Sequence, residues 1–315
     1  GRALLEMMEE FNLDSIDEVS EEIIRRSETA VRAEIAKLPA GEWSSETWSD
    51  GFEEPILIRC TVRVAGEDIF IDFTGSSPQS TRGINVVLNY THAYASFAIK
   101  AAICPDVPHN EGSFRPVHVS APEGSILNAL DPAPVASRQV IGHFIPSAIF
   151  AAMSGALPGR LMAPGADPIW LSVWRGQNPS FTLTVFQVGG TGARPSKDGL
   201  NAVGFPSGVA GVPAEVIESL SPVVLQRREL RADSGGPGTW RGGLGQLTEF
   251  TRRGEGKWSV SSIADRTQYP ALGLLGGQAG APGEVTTGDG KKLHAKALKD
   301  LTKGEVIHVN LPGGG

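Results

Sequence analysis

Apolar positions in the first forty residues recur at three- and four-residue steps. Ile16, Val19, Ile23, Val31, Ile35 and Leu38, with Ser27 filling the gap, predict a helix starting at Ser15. Ser15 and Glu18 have capping-box spacing at its start, and Pro39 and Gly41 end it. The face between them carries Glu21, Glu22, Arg25, Arg26 and Glu28, which reads as a solvated surface. The period then drops to two. In ILIRCTVRV, Ile56, Ile58, Cys60, Val62 and Val64 alternate with Arg59, Thr61 and Arg63; AGED turns the chain and IFIDFTG returns it, so a β-hairpin is predicted. Helical period resumes across VVLNYTHAYASFAIKAAIC, with Val87, Tyr90, Tyr94, Phe97, Ala98 and Ala101 on one face, and stops before Pro105.

A Pro- and Gly-punctuated stretch follows, with a short strand expected at Pro116–Val119. A third helix is predicted from Ser137 to Leu157, kinked or begun afresh near Pro146. SFTLTVFQVGG reads as a buried strand and GTGARPSKDGLNAVGFPSGVAG as a long loop, a length that in a compact domain is more often functional than idle. From Val223 onward TEFTRR, KWSVSSI, GEVTT and EVIHVNL alternate with Gly-containing turns, and no helix is expected. The pattern predicts a multilayer mixed α+β domain with antiparallel sheets and several helices. Its expected divisions are a helical segment at 1–40, a central α/β portion at 51–245 and a β-rich portion at 246–315.

Composition narrows the function. A net charge of -7 argues against wrapping nucleic acid, because backbone binding needs Lys and Arg to neutralise phosphates. With two cysteines, Cys60 and Cys104, neither a disulfide scaffold nor a cysteine zinc site is expected, and buried reduced thiols fit a cytoplasmic protein. The best apolar run, IPSAIFAAMSGAL, is too short to span a bilayer and is interrupted by Pro146 and Gly155, so no membrane role is expected. Both ends read as cut, since Gly1 opens straight onto a helical pattern and LPGGG stops inside a glycine cluster.

The segment DSGGPGTWRGGLGQ, residues 233–246, looks at first like a nucleotide loop. It lacks the Lys-Ser/Thr ending of a Walker A loop and a following helix. The dinucleotide fingerprint fails too: after Gly236 and Gly238 the third glycine, Gly242, falls one residue late, and LGQLTEF continues as a strand. Turns between strands and close backbone approach account for these glycines better.

Several segments together resemble the hydantoinase B and 5-oxoprolinase family, which includes the acetone carboxylase alpha subunit. They are DFTGSSPQ at 72–79, GIN at 83–85, NEGSFRPVHVSAPEGSILNA at 110–129, PAPVASR at 132–138, GGTGARPSKDG at 189–199, PAEVIES at 213–219 and DSGGPGTWRGGLG at 233–245, with LPGGG at the end. The family's proteins are longer, so the chain resembles their carboxy-terminal part. None of the six histidines here has Asp three residues later, a pattern that resembles metal ligands in the family's amino-terminal half. Gly211 departs from the asparagine expected before VPAEVIE.

The resemblance implies ATP-driven opening of a cyclic amide, a hydantoin or 5-oxoproline ring. It also implies a hydantoinase A-like partner subunit that binds ATP, and a divalent metal whose ligands are not in this chain. Ketone carboxylation of the acetone carboxylase type is the alternative within the family. A non-catalytic scaffold or subunit-docking module is the alternative outside it. Such a site needs donors for a developing oxyanion and cations for phosphate. Asn110, Glu111 and Arg138 are the candidate catalytic residues: Arg138 to grip phosphate, or else to end a helix in an ion pair; Asn110 and Glu111 to orient water or substrate, or else to brace a loop. Asp198, Asp233, Ser234 and Arg241 are the candidate substrate or phosphate contacts, with Asp233 and Ser234 fixing the base of the loop that carries Arg241. Asp198 with Gly199 alternatively makes only a turn. Asp72 is expected to close the hairpin, His92 to be packed or capping within its helix rather than catalytic, and His109 with Asp106 to bind no metal.

Overall fold

The computed structural model describes residues 1–296 and 298–315. The chain builds two hydrophobic cores. The first lies under a sheet of order β1-β2-β3-β4, made of Gly41–Ser49, Ile56–Ala65, Asp68–Asp72 and Val117–Ser120. The predicted hairpin is β2 and β3, antiparallel with Val62 opposite Ile71 and Val64 opposite Ile69; β4 joins β3 in parallel. Ile58, Cys60, Val62, Ile69 and Ile71 point to one face and are almost completely buried there, as period two requires. Burial raises the Cys60 thiol pKa well above its ordinary value. Helices α3 (Leu88–Ile103) and α6 (Phe144–Met153) join this core, and α2 (Asp17–Ile35) adds Val31 and Ile35 to it. The short helices α4 (Glu111–Phe114) and α5 (Gln139–Gly142) are a single turn each, and α1 (Arg2–Glu10) buries none of its residues.

The second core lies between two antiparallel four-stranded sheets. One has the order β10-β12-β8-β7 (Glu284–Thr287, Ile307–Asn310, Gln246–Arg252, Val223–Leu230). The other has the order β11-β9-β5-β6 (Leu298–Leu301, Trp258–Ile263, Trp170–Gly176, Phe181–Gln187). The Trp174 ring of β5 lies 4.8 Å from Phe250 of β8 and 5.5 Å from Trp258 of β9, so aromatic side chains fill the space between the sheets. Helix α7 (Ala214–Leu220) adds Ile217 to the same core. β5, expected within the central portion, is therefore hydrogen-bonded to β9 of the β-rich portion and carries β6 with it into that sheet.

Buried charges join the two cores. Asp265, completely buried just after β9, accepts from Ser49 Oγ (2.7 Å) and the Asp50 backbone N–H (3.0 Å) at the end of β1, and from Lys296 Nζ (2.9 Å). Asp50 in return accepts from Thr267 N and Oγ1 (both 2.7 Å), Gln268 N and Tyr269 N. Arg266 donates from Nε to the Asp167 carbonyl (3.0 Å) and lies 4.5 Å over the Phe144 ring, while Ser147 of α6 donates to the Asp167 carboxylate at 2.5 Å. Burial raises the Asp167 carboxyl pKa and lowers that of the Arg266 guanidinium; each offsets part of the other's shift.

Local details depart from the sequence pattern. The capping box at Ser15 and Glu18 does not form. Ser15 Oγ bonds to Asp17 two residues on, accepting from its N–H at 3.1 Å, and α2 starts with no side-chain cap. Val19 and Ile23 are exposed, and the buried stripe begins at Ser27. In α3 the deepest face is Thr91, Ala95, Ala98, Ile99 and Ala102, whereas Val87 and Ala101 are exposed and the aromatic rings are half-buried. The third helix breaks at His143, between α5 and α6, and Pro146 sits in the first turn of α6, where no N–H is needed. β6 is an edge strand with Thr182, Thr184 and Phe186 exposed, so it is only half-buried. β1, whose inward positions include Ser45, Thr47 and Ser49, lacks the apolar alternation that would have announced it.

Candidate functional site

The glycine-rich segments that carry the family resemblance meet in one place. Residues 189–200, 233–245 and 312–315 hydrogen-bond to one another through their backbones. Gly190 N–H donates to Pro312 O (3.1 Å), Gly243 N–H to Thr191 O (2.8 Å), Gly314 N–H to Gly243 O (3.0 Å), Gly236 N–H to Gly314 O (2.8 Å) and Ala193 N–H to Gly315 O (2.8 Å). The chains run so close that a Cβ on Gly190 would stand 1.8 Å from Gly243 O, and one on Gly314 would stand 1.9 Å from Thr191 O. Absence of a side chain is the requirement at these positions, and no phosphate is needed to explain them.

Short polar side chains complete this weave. Ser234, 1% exposed, accepts from Gly245 N–H (2.9 Å) and donates to Arg231 O (2.7 Å), so it fixes the base of the loop. Asp198 accepts from the Arg241 backbone N–H (2.8 Å), and Gly199 N–H donates to Arg241 O (2.7 Å). Asp198 thus joins two of the matched segments, and Arg241 sits opposite it with an exposed side chain. Asp233 is exposed, with φ at 55°. Sequence reasoning missed Asn201, whose side chain accepts from Leu244 N–H at 2.8 Å, and Thr191, whose Oγ1 accepts from Leu200 N–H at 2.7 Å.

Beside the weave lies a cleft of ≈ 340 Å³. Its walls include Arg194, Thr239, Trp240 and Leu275, with Gly315 and the turn around Gly276. Arg194 is held by donation from Nε to Asp198 O at 2.9 Å, and Trp240 is 44% exposed, leaving ring surface free. A guanidinium beside an indole on a rigid backbone can hold an anionic group and the face of a planar ring at once.

The remaining candidates lie on the first core. Asn110 caps α4: its side chain accepts from Ser113 N–H and donates to Ser27 Oγ (2.7 Å) in α2. Glu111 pairs with Arg115 (2.7 Å), which also reaches Glu28 (3.1 Å). These contacts brace the loop against α2. Arg138 opens α5, is exposed, and lies 5.7 Å from the Tyr90 ring centroid; it makes no ion pair among the described residues. Its loop is held by Asn85, fully buried, which donates to the Pro134, Ser80 and Arg82 carbonyls and accepts from Ser80 N–H. Asn85 is the asparagine of the GIN segment, so two matched motifs interlock there as well.

Tyr90 stacks on Tyr94 at 4.5 Å, and Tyr94 on His143 at 5.8 Å. His143 is 2% exposed, its Nδ1 has no hydrogen-bond partner among the described residues, and burial lowers its pKa to about 4. The histidine is therefore neutral at pH 7.

The structure brings Asp198, Ser234 and Arg241 into one weave, sets Arg138 beside Tyr90, and puts Asn110 and Glu111 against α2. No hydrogen bond or ion pair links these three groups among the described residues. Among the same residues no three His, Cys, Asp or Glu side chains gather to hold a metal ion.

The sequence profile of the hydantoinase B/oxoprolinase family matches residues 1–315. A Pseudomonas sp. (strain NS671) protein described as a D-/L-hydantoinase subunit is 32% identical over 302 residues, covering 90% of this chain. The chain spans only 50% of that relative's length. The crystal structure of the ATP-dependent caprolactamase from Pseudomonas jessenii superposes with a TM-score of 0.88 at 24% identity, over all of this chain and 58% of that one. A nucleotide-free acetone carboxylase structure has the same fold at TM-score 0.76 and 15% identity, over 91% of this chain and 46% of that one.

Proposed function

Because the chain belongs to the hydantoinase B/oxoprolinase family, we propose that it forms part of the hydantoinase B-like subunit of an ATP-dependent cyclic amide hydrolase. In this reading ATP is bound by a separate hydantoinase A-like subunit, and a divalent metal is supplied by polypeptide outside these residues. The observation that carries the reading is the convergence of three family segments on one cleft, with Arg194 and Trp240 in its wall and Arg241 and Asp198 alongside. Ring amides resist hydrolysis, and activation by phosphorylation would give the substrate a charged group for a guanidinium to hold. Arg194 and Arg241 are assigned to that charge and Trp240 to the ring face. Ser234 and Asp198 keep the loop rigid. Arg138, a third cation with no ion-pair partner among the described residues, is assigned to the same chemistry from the first core.

The test is ATP-dependent hydrolysis of hydantoin and 5-oxoproline by the complete subunit with its ATP-binding partner. Arg241→Ala and Arg194→Ala are each expected to lower kcat/KM by about two orders of magnitude, the effect of removing a charge-stabilising donor, with the melting temperature unchanged. Full activity in the double variant would remove the cleft from the reaction. Activity on a ketone with bicarbonate, and none on ring amides, would move the protein to the carboxylase branch.

A further inference from the structure

One end of the second core carries positive charge that the fold does not use. Across β6, β5, β9 and β11, Thr182, Arg175, Ser259 and Asp300 stand side by side in register. Directly paired residues project from the same face. Here it is the outer face, since the neighbouring Trp174, Val260 and Leu301 are buried on the inner one. Gln177, Ser180 and Phe181, at and beside the β5–β6 turn, and Lys257, before β9, close the end of this row into an open cleft of ≈ 430 Å³.

Arg175 and Lys257 are both exposed, and neither side chain makes an ion pair or hydrogen bond among the described residues. Behind the wall lies Arg252, 6% exposed, which donates to Lys257 O (3.0 Å), Gln177 O (2.6 Å) and Asn178 O (2.8 Å). Arg252 pins together the two turns that carry the cleft. Among the described residues its hydrogen-bond partners are all carbonyls, its Nε has none, and its guanidinium lies 5.7 Å from the Phe181 ring centroid. Its charge is therefore delocalised onto dipoles rather than cancelled, and it adds to the field in the cleft. Glu255, in the same turn as Lys257, is taken by Lys303. Among the described residues the lining of the cleft thus carries two cations, Arg175 and Lys257, against one carboxylate, Asp300, with Arg252 behind the wall. Elsewhere on the surface Arg59, Arg82 and Arg227 are each paired with a glutamate.

We propose that this cleft binds a phosphate-bearing small molecule, at a site separate from the glycine-lined cleft. Arg175 has the planar fork that matches two phosphate oxygens, and Lys257 supplies a point charge to a third. Ser180, Thr182 and Ser259 supply hydroxyl donors, and the half-buried Phe181 ring an apolar edge for the organic part.

Calorimetric titration with pyrophosphate, against chloride at matched ionic strength, tests the site in a chain that carries Arg194→Ala and Arg241→Ala, so that the glycine-lined cleft does not contribute. Saturable binding is expected, weakened about tenfold by Arg175→Ala or Lys257→Ala, lost in the double variant and tightened by Asp300→Asn. All three side chains are exposed or on the rim, so unchanged melting temperatures will show that the variants fold. The proposal is overturned if pyrophosphate does not bind saturably, or if binding survives the double variant. Saturable binding by the unsubstituted chain that vanishes once Arg194→Ala and Arg241→Ala are introduced would likewise overturn it, by assigning the anion to the glycine-lined cleft.

Discussion

Two polar regions hold this chain together by opposite means. At the junction of the two cores, side chains do the holding: Asp50, Asp265, Arg266, Lys296 and Asp167 are buried and engage one another or nearby backbone groups, and among the described residues only Arg266 Nη2 in this set is left without a hydrogen-bond partner. In the glycine weave the backbone does it, through N–H to C=O bonds between segments far apart in sequence. The difference bears directly on function. Charges at the junction are occupied by one another, whereas a backbone-built region leaves Arg194, Trp240 and Arg241 available to solvent and ligand. A dense cluster of charged residues is thus the weaker candidate for chemistry here, and a loop almost empty of side chains is the stronger.

The comparison can be broken first at the junction. Asp265→Ala leaves Lys296 buried without a counter-charge and Ser49 and the Asp50 N–H without an acceptor. It should lower unfolding free energy by about 3–5 kcal/mol in denaturant titration. A loss below about 1 kcal/mol, on the order of an exposed pair, would show that the junction is not acting as a buried network.

Next is His143, beside Phe144 at the edge of that network. Its pKa is about 4 in the folded protein against 6.5 when unperturbed. Above pH 6.5 it is neutral in both folded and unfolded chains. As pH falls from 6.5 through 4 the unfolded chain takes up the proton first, so the fold loses up to about 3 kcal/mol. His143→Gln should abolish that component, read as the difference between the two stability–pH curves. Superimposable slopes between pH 6.5 and 5 would contradict the burial.

In the weave, Gly314→Ala places a methyl against Thr191 O and should destabilise by about 1–3 kcal/mol, as overpacking does. The smallest expected effect is the most informative. Arg241→Ala keeps the backbone N–H that Asp198 accepts, and its stability should change by no more than about 0.5 kcal/mol, even though the proposed function expects ring-amide hydrolysis by the complete subunit with its partner to fall.

Legibility in the sequence followed how strongly each segment's chemistry favours one answer. The β2–β3 hairpin was plain because Ile, Val and Cys alternate with Arg and Thr over nine residues. The buried face of α3 was not, because that helix is apolar around most of its circumference and small residues, rather than Tyr and Phe, let it approach the core. Pro146 marked a helix start rather than a kink. In the candidate site, Ser234 and Asp198 were found through the glycine loops they sit in, while Asn85, although inside the matched GIN segment, and Asn201 and His143 were given no role because nothing local distinguishes a buried polar side chain from an exposed one.

By itself the sequence determined membership of the family, the mixed α+β class, the β-rich end and the need for glycine in three separate segments, since period, turn chemistry and missing side chains are local properties. Only the tertiary structure decided that those segments lie against one another, that Asn110 braces a loop while Arg138 and Arg241 face solvent, and that Asp265 and Lys296 are partners. Those outcomes depend on which distant residues come within hydrogen-bonding distance, and that is fixed by how two cores bury their apolar faces rather than by any spacing along the chain.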